Sequence, residues 1–329
     1  MFRKAIVSNA LGLISASILG TTILAPTEVH AAYPDQPITF VNPYSAGGPS
    51  DILGRIVAEK MSEILGQPII MQNKPGAGAS IGAAFVARAK ADGYTALIGT
   101  AAAHVVSPML EDLSYDGVQG FKFVGMIGNI PNVLTVNPAT GVLTVRQLIE
   151  QSNAQPDRFN YASAGNGSSP HITGENFKIK TGAKLMHVPY KGAAPATTDM
   201  VGGVVQVGFI NLPAVLPFIN SEKLNAIAIA ASRRSPALPD VPTFAELGFQ
   251  GFEGSSWYSL AVPAETPDAV VATLYAALTK TMNDPEIKKK LETQGVEEFL
   301  MNGHEAREFI SNDKARIKTV LEAAHLIKG

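Results

Sequence analysis

The sequence predicts an α/β protein in which helices cover the faces of a parallel sheet. Apolar, β-rich runs alternate with segments whose apolar residues recur at helical spacing, a pattern typical of such sheets. The alternation occurs twice along the chain, which predicts two α/β units in series. The chain has 329 residues, 46% of them hydrophobic and 16% charged, which fits a globular protein of two domains.

The first unit alternates strictly between strands and helices. Ile38–Val41 is an apolar, β-rich run, and Asp51–Leu65 has apolar residues on one helical face until Gly66 ends the pattern. Three further elements are predicted: a strand at Pro68–Met71, a helix from Ser80 to about Ala89, and a strand at Tyr94–Ile98.

The second unit begins after the strand Asn132–Val136, which ends at Asn137-Pro138. We expect helices near residues 144–154, 171–181, 194–201 and 213–220, and strands near 159–162, 185–188, 204–210 and 224–230. Trp257–Val262 predicts one more strand. The tail from Asp268 is helical and is interrupted at Asp284-Pro285. These last helices could return to the first unit.

Residues 1–31 have the pattern of a cleaved secretory signal peptide. Arg3 and Lys4 precede the mostly apolar run Ala5–Leu24, and Val29-His30-Ala31 places small residues at the usual cleavage positions. A membrane anchor is the alternative, because about twenty apolar residues can span a bilayer. Polar residues within the run disfavour it, so we expect an exported protein.

The overall composition excludes several classes of function. The chain contains no cysteine, which rules out disulfides, thiolate metal sites and a cysteine nucleophile. With a formal net charge of −2, the chain lacks the excess of basic residues by which proteins bind nucleic acid or an anionic membrane. No stretch after the leader is apolar and long enough to span a bilayer.

Three motifs resemble sites of chemistry but lack parts that such sites require. The glycine run at Gly76–Gly82 lacks the spacing and the later acidic residue of a dinucleotide site. Ser163 with His171 or His187 would be an incomplete hydrolase set, and no nucleophile elbow occurs. His171 and Glu175 lie one helical turn apart, but no third metal ligand is evident. We therefore expect no catalytic residue, cofactor or metal.

Two neutral loops, each between a strand and a helix, are the strongest candidates for a binding site. The first loop, Pro43–Asp51, follows the strand at Ile38–Val41, and the second loop, Tyr161–His171, follows the strand near residue 160. Both are rich in Gly and Ser and leave backbone N–H groups free at a helix start, where anions bind. Each loop alone could be an ordinary helix cap. Because they belong to separate units, they predict a ligand held from both sides by hinge closure.

The chain also resembles a known family, the Bug-type solute-binding proteins of tripartite tricarboxylate transporters. The resemblance extends over almost the whole chain after residue 31 and is carried by these segments: Tyr33–Ile38, Pro43–Asp51, Leu65–Pro68, Asn73–Gly78, Asp92–Tyr94, Pro131–Leu134, Asn160–Gly167, His187–Gly192, Arg234–Thr243 and the strand at Trp257. It implies a two-domain, type II-like periplasmic-binding-protein fold with the ligand cleft between the domains. Residues 32–133 plus 257–329 would form domain 1, and residues 134–256 would form domain 2.

The resemblance also implies a function and a set of site residues. The protein would be a non-enzymatic, periplasmic monomer that captures a small carboxylate and presents it to the membrane permease. The residues expected to bind the ligand are Tyr44, Ser45, Gly47, Gly48, Thr100, Ala102, His104, Ser163, Asn166, Gly167, Ser168, Asn211 and Trp257.

The chain departs from the family pattern at two places. The first loop reads Tyr44-Ser-Ala-Gly-Gly48 where relatives usually have Phe-Pro-Pro-Gly-Gly, which adds a hydroxyl group and removes a rigid proline. Asn211 follows Phe209-Ile210 where relatives often have an acidic residue, so an amino-bearing ligand is disfavoured. A plain di- or tricarboxylate fits better, as does an aromatic carboxylate stacking near Tyr44 or Trp257. A secreted hydrolase or isomerase and a ligand-sensing partner of a membrane kinase remain the alternatives.

Overall fold

A computed structural model describes residues 33–327, so the predicted signal peptide at residues 1–31 lies outside the described residues. The strands are β1 (Ile38–Asn42), β2 (Ile69–Asn73), β3 (Thr95–Thr100), β4 (Phe121–Val136), β5 (Asn160–Ser163), β6 (Met186–Pro189), β7 (Val207–Asn211), β8 (Asn225–Ile229), β9 (Ser255–Pro263) and β10 (Met301–Asn302). The helices are α1 (Pro49–Leu65), α2 (Ser80–Ala87), α3 (Ser107–Leu110), α4 (Val145–Ala154), α5 (Ser169–Thr181), α6 (Ala193–Val201), α7 (Leu212–Asn220), α8 (Asp268–Asn283), α9 (Pro285–Thr293) and α10 (Gly303–Ala323).

Helix α1 shows how the local sequence sets these boundaries. Pro49 lies in its first turn, where the missing N–H group leaves no hydrogen bond unmade. Leu53, Val57 and Met61 recur every fourth residue and are fully buried against the sheet. Gly66 ends the helix in the left-handed conformation, at φ 70°, and donates its N–H to the carbonyl of Ser62.

The sheet consists of two halves that share the long strand β4. In the first half the order is β2-β1-β3-β9-β4, in which β9 runs opposite to the other strands. In the second half the order is β6-β5-β7-β4-β8, in which β4 runs opposite to the others. In each half, therefore, the long strand that arrives from the other half runs opposite to its neighbours; in the first half the short β10 also pairs antiparallel with β4.

The chain crosses between the halves at two neighbouring points. Up to Pro131, β4 pairs with β9, and from Asn132 it pairs with β7 and β8. The return crossing is at Gly254, whose carbonyl accepts a hydrogen bond from the N–H of Asn132 at 2.9 Å. We call the residues before the first crossing and after the second the first half, and those between them the second half. The domain boundaries at residues 133/134 and 256/257 stay a prediction.

The α/β class is confirmed, with two local differences from the expected elements. Residues 102–106, for which no helix or strand is predicted, form a turn of π-helix that leads directly into α3. β4 begins at Phe121, well before the strand predicted at Asn132–Val136. The sequence pattern did not indicate this first part, because Gly125 and Gly128, which are located at irregularities in the pairing with β9, interrupt the β-rich run. No helix in the described part of the chain is long and apolar enough to cross a membrane.

Candidate functional site

A narrow cavity lies where the two halves meet, at the carboxyl ends of β1, β3 and β7. Its volume is about 20 Å³, space for roughly one water molecule. Its lining is uncharged and combines hydroxyl and amide side chains with small apolar residues: Tyr44, Gly48, Pro49, Ser50, Thr100, Ala101, Ala102, Ala164, Ser168, Ser169, Pro170, Ala193, Asn211, Ser256 and Tyr258. Among the residues that the structure describes, no charged side chain lines it.

Several helices point their N-terminal ends at this cavity. The lining contains the first residues of α1, α5 and α6, the start of the π-helical turn, and the residue that precedes α7. The caps of α1, α6 and α7 (Gly48, Gly192 and Asn211) form no side-chain hydrogen bond to their helices. Helix N-termini carry unpaired N–H groups and partial positive charge, so the cavity favours an anion without a basic side chain.

The first loop is held in shape by three polar side chains. Asn42 and Asn73 each donate an amide hydrogen to the carbonyl of Tyr44 at 3.2 Å. Asp51 accepts from the N–H of Gly47 at 3.0 Å and from Asn73 at 3.1 Å. Burial raises the pKa of the Asp51 carboxyl, but hydrogen bonds from Arg55, Gly47 and Asn73 outweigh burial and lower it overall. Asp51 is thus ionised and stabilises the conformation of the first loop.

The second loop is closed on itself by hydroxyl groups. Ser168 donates to the carbonyl of Gly165 at 2.7 Å, and Gly165 donates its N–H to Ser163 Oγ at 3.1 Å. Ser163 Oγ also lies 2.6 Å from His187 Nε2. Ser163 is fully buried and its hydrogen bonds are made within the second half. Ser163 therefore stabilises the conformation of the second loop through contacts within the second half.

Two stacked imidazole rings support the second loop from beneath. The rings of His171 and His187 are 4.1 Å apart and nearly parallel. His171 Nδ1 accepts the N–H of Gly167 at 3.1 Å, so this nitrogen carries no proton. Burial lowers the pKa of His171 to about 4. Burial, aided by His171 and Lys178, lowers that of His187 to about 3. Both rings are therefore neutral near pH 7.

A buried network forms the floor of the site at the crossing between the halves. Asn132 donates to Ser169 Oγ at 2.9 Å and to Thr173 Oγ1 at 2.7 Å. Asn211 donates to Asn132 Oδ1 at 2.7 Å and to Ser256 Oγ at 2.9 Å. The Asn211 amide nitrogen is thus engaged by protein groups and lines the cavity as part of a fixed floor.

Two tyrosine hydroxyls complete the lining. Burial raises the pKa of Tyr44 to about 12, against a smaller opposing effect of its hydrogen bond with Thr100. Burial also raises the pKa of Tyr258, whose hydroxyl lies 3.5 Å from Asn211 Oδ1. Both phenols stay protonated at neutral pH and are available as hydrogen-bond donors.

The residues predicted from the sequence fall into three groups. Those that line the cavity are Tyr44, Gly48, Thr100, Ala102, Ser168 and Asn211. Those that lie in the two loops without lining the cavity are Ser45, Gly47, Ser163, Asn166 and Gly167. In this second group Ser45 is distinct, because its Oγ is buried with no hydrogen-bond partner in the described part of the chain.

His104 and Trp257 form the third group, which lies away from the cavity. His104 donates from Nδ1 to the carbonyl of Gly117 at 2.6 Å and packs edge-on against Phe121 and Phe123. Trp257 is 2% exposed and donates from Nε1 to Asp313 at 2.8 Å. The structure thus places these two rings in the apolar core of the first half. Because side chains alternate between the two faces of a strand, Trp257 of β9 points into this core, whereas its neighbours Ser256 and Tyr258 point to the cavity.

Sequence reasoning missed several lining residues. Ala193 starts α6 after Gly192, but this helix start lacks the Ser residues that, together with Gly, marked the other two loops. Ser256 and Tyr258 are revealed only by knowing which face of β9 meets the cavity. Among the described residues, no group of three His, Asp or Glu side chains could hold a metal ion.

A larger groove lies beside the crossing strands. Its volume is about 520 Å³, and it is lined by the loop containing Arg233 and by Lys288 and Glu292 on α9. Pro131 of β4 lines this groove, whereas Ser256 and Tyr258 of β9 line the cavity. The cavity and the groove are thus lined by different residues of the crossing strands.

Sequence comparison relates the chain to a family of transporter receptors. The family model described as "Tripartite tricarboxylate transporter family receptor" matches residues 53–326. Protein BugT of Bordetella pertussis is 33% identical over 311 residues, which cover 94% of this chain and 95% of BugT.

Solved structures share the fold. The structure described as "R. palustris Rpa4515 with adipate" is 32% identical, with a TM-score of 0.87, and the match covers 89% of this chain and 98% of that one. "MatC (Rpa3494) from Rhodopseudomonas palustris with bound malate" is 28% identical, with a TM-score of 0.82, covering 88% and 100%. The two-part binding-protein fold that the sequence resemblance implied is confirmed by these similarities.

Proposed function

The chain belongs to the tripartite tricarboxylate transporter receptor family, and from this premise we propose that it binds a small carboxylate between its two halves. The bound carboxylate would then be presented to a membrane permease. Location in the periplasm, export by the segment 1–31 and action as a monomer are parts of the same proposal. The halves would close on the ligand, because a binding site shared by both favours their approach.

One observation carries this proposal: several helix N-termini converge on one cavity that has no basic side chain in its lining. Fixed N–H groups at the helix starts can pair with carboxylate oxygens, and the hydroxyls of Tyr44 and Thr100, which line the cavity, can add donors. Two relatives of similar fold contain adipate and malate, which are both dicarboxylates.

The lining also favours a plain carboxylate over an amino acid. An ammonium group would need a carboxylate or several acceptors, and Asn211 turns an amide nitrogen into the network beside the cavity. Asp51, the nearby acid on α1, is occupied by Arg55, Asn73 and Gly47. We therefore propose a di- or tricarboxylate without an amino group as the ligand class.

A thermal-unfolding screen tests this proposal. Malate, adipate, citrate and benzoate would be compared with aspartate and glutamate at one concentration and ionic strength. A ligand present at 100 times its dissociation constant stabilises the folded protein by about 2.7 kcal/mol, a clear rise in Tm. We expect a rise with at least one plain carboxylate and a smaller one with its α-amino analogue.

The control is the methyl ester of each ligand that raises Tm, with every carboxyl group esterified, which keeps the carbon skeleton but removes the charge. An equal rise with the ester would contradict anion binding at helix N-termini. Recovery of the ligand after long incubation separates binding from catalysis, since a consumed ligand would favour the hydrolase or isomerase alternative.

A further inference from the structure

Two glycines lie where the halves touch beside the cavity, and neither position has space for a side chain. An ideal Cβ on Gly78, in the first half, would lie 2.8 Å from the carbonyl oxygen of Asn166 in the second. An ideal Cβ on Gly167, in the second half, would lie 2.8 Å from Val106 Cγ1 in the first. Real Cβ atoms essentially never approach other heavy atoms within 3.0 Å. A methyl group at either position would therefore hold the halves apart.

Both sides of this contact are fixed to helices. Ser107 Oγ donates to the carbonyl of Gly78 at 2.7 Å, which attaches that turn to the helix containing Val106. On the other side, the N–H of Gly167 donates to His171 Nδ1 on α5. We call the meeting of Gly78, Val106, Asn166 and Gly167 the glycine contact.

We propose that the glycine contact sets how closely the two halves can approach, and that Gly78 and Gly167 are positioning residues for ligand affinity. The inference rests on the proposed function, since the approach of the halves matters for affinity when a ligand is held between them. Val106 and Gly167 are close in sequence to the cavity residues Ala102 and Ser168. Separation at the contact therefore moves the helix N-termini of the two halves away from a shared ligand.

Gly182 provides a matched control. Gly167 has φ +74° and Gly182 has φ +71°, so alanine suffers similar backbone strain at both. No atom lies within 4 Å of the Cβ position at Gly182. The two glycines flank the same helix, α5, and only Gly167 faces the other half.

Calorimetric titration with malate and adipate tests the effect on affinity. Because overpacking a contact is costly, we expect Gly167→Ala to weaken binding about tenfold or more relative to Gly182→Ala. Adding Val106→Ala removes the obstructing Cγ1 atom, so the double variant Gly167→Ala/Val106→Ala should recover most of the affinity. Equal dissociation constants for Gly167→Ala and Gly182→Ala would overturn the proposal, as would a lack of recovery.

A cross-linking experiment tests the contact without any ligand. The N–H of Ser45 donates to the carbonyl of Lys191 across the halves at 3.3 Å, and an ideal Cβ on Gly47 would lie 3.9 Å from Ala194 Cβ, with no other atom within 4 Å. That separation falls in the range of about 3.5–4.5 Å found in disulfides. Because the chain has no cysteine, the variant Gly47→Cys/Ala194→Cys can form one intramolecular disulfide on oxidation.

We expect Gly78→Ala, introduced into this cysteine pair, to slow cross-linking about tenfold, and Gly182→Ala to leave its rate unchanged. Equal rates for both, or no cross-link in the parent pair, would overturn the glycine contact as the limit of closure. If cross-linking responds to Gly78→Ala but no carboxylate raises Tm, the proposed function fails and the glycine contact stands.

Discussion

Asn132 shows how much one residue contributes at the crossing between the halves. Its side-chain nitrogen donates to Ser169 and Thr173 on α5, and its oxygen accepts from Asn211 at the end of β7. Its backbone N–H bonds to Gly254, the other crossing point. The residue is fully buried, so no water can replace these partners. One amide therefore joins a helix, a strand and both crossings.

We expect Asn132→Ala to lower the free energy of unfolding by about 2–4 kcal/mol, because it leaves several buried polar groups without a partner. Urea unfolding at pH 7.5 measures the loss. Asn220→Ala, at an exposed position at the end of α7, is the control and should change stability by less than about 0.5 kcal/mol. A similar effect for the two variants would refute the role of the network.

At the scale of elements, the site is a meeting of helix starts. Sequence reasoning located the starts of α1 and α5 because Gly- and Ser-rich loops follow recognisable strands. It did not assign α6 to the site, because a Gly-Ala helix start has no distinctive polar residue. The sequence also does not show which face of β9 meets the cavity. Side chains alternate between the two faces of a strand, and either face could meet the cavity until the neighbouring strands are known.

The stacked pair of His171, in the first turn of α5, and His187, on β6, predicts a pH dependence of stability. His171 has an ordinary pKa of 6.5 when unfolded, and burial lowers it to about 4 in the folded protein. The unfolded chain therefore binds more protons between these values, and stability present above pH 6.5 is lost as the pH falls toward 4. Between pH 7.5 and 5, His171 should account for a loss of about 2 kcal/mol.

Urea unfolding of His171→Gln at both pH values measures this contribution. Glutamine keeps an acceptor for the N–H of Gly167 but does not titrate, so the loss on acidification should shrink by about 2 kcal/mol. His304→Gln, at an exposed position near the start of α10, is the control. An unchanged loss in His171→Gln would show that the acid sensitivity arises elsewhere.

At the scale of the whole molecule, the cavity and the larger groove are both lined by residues of the two crossing strands, but by different ones. We expect a rotation of the halves about those strands that narrows the cavity to widen the groove. Filling the groove should therefore favour the arrangement in which the halves are close around the ligand.

Ser232→Phe tests this coupling, since Ser232 is exposed and lines the groove. We expect affinity for malate or adipate to increase about fivefold, a typical size for such coupling. Ser221→Phe, exposed beyond the end of α7, adds the same ring outside the groove. Equal affinities for the two variants would mean that the groove does not influence ligand binding.

The α/β class and most helices and strands were predictable because they depend on local apolar spacing. The cavity was predictable in part, since Gly48 and Ser168 are marked by their own loops. Its floor was not, because Asn132, Asn211 and Ser256 come together through pairing between residues far apart in sequence. His104 looked like a site residue from its place after β3, and only the packing against Phe121 and Phe123 shows where it lies.

Trp257 is the chain's single tryptophan and lies near the start of β9, the strand that returns across the hinge. Its indole is anchored to Asp313 on α10, while the adjacent residues Ser256 and Tyr258 line the cavity. Emission from this ring comes from one place, so a change in it on adding malate would report, in the unlabelled protein, a change beside the cavity wall. Stopped-flow fluorescence could thus time the arrival of a carboxylate without any dye.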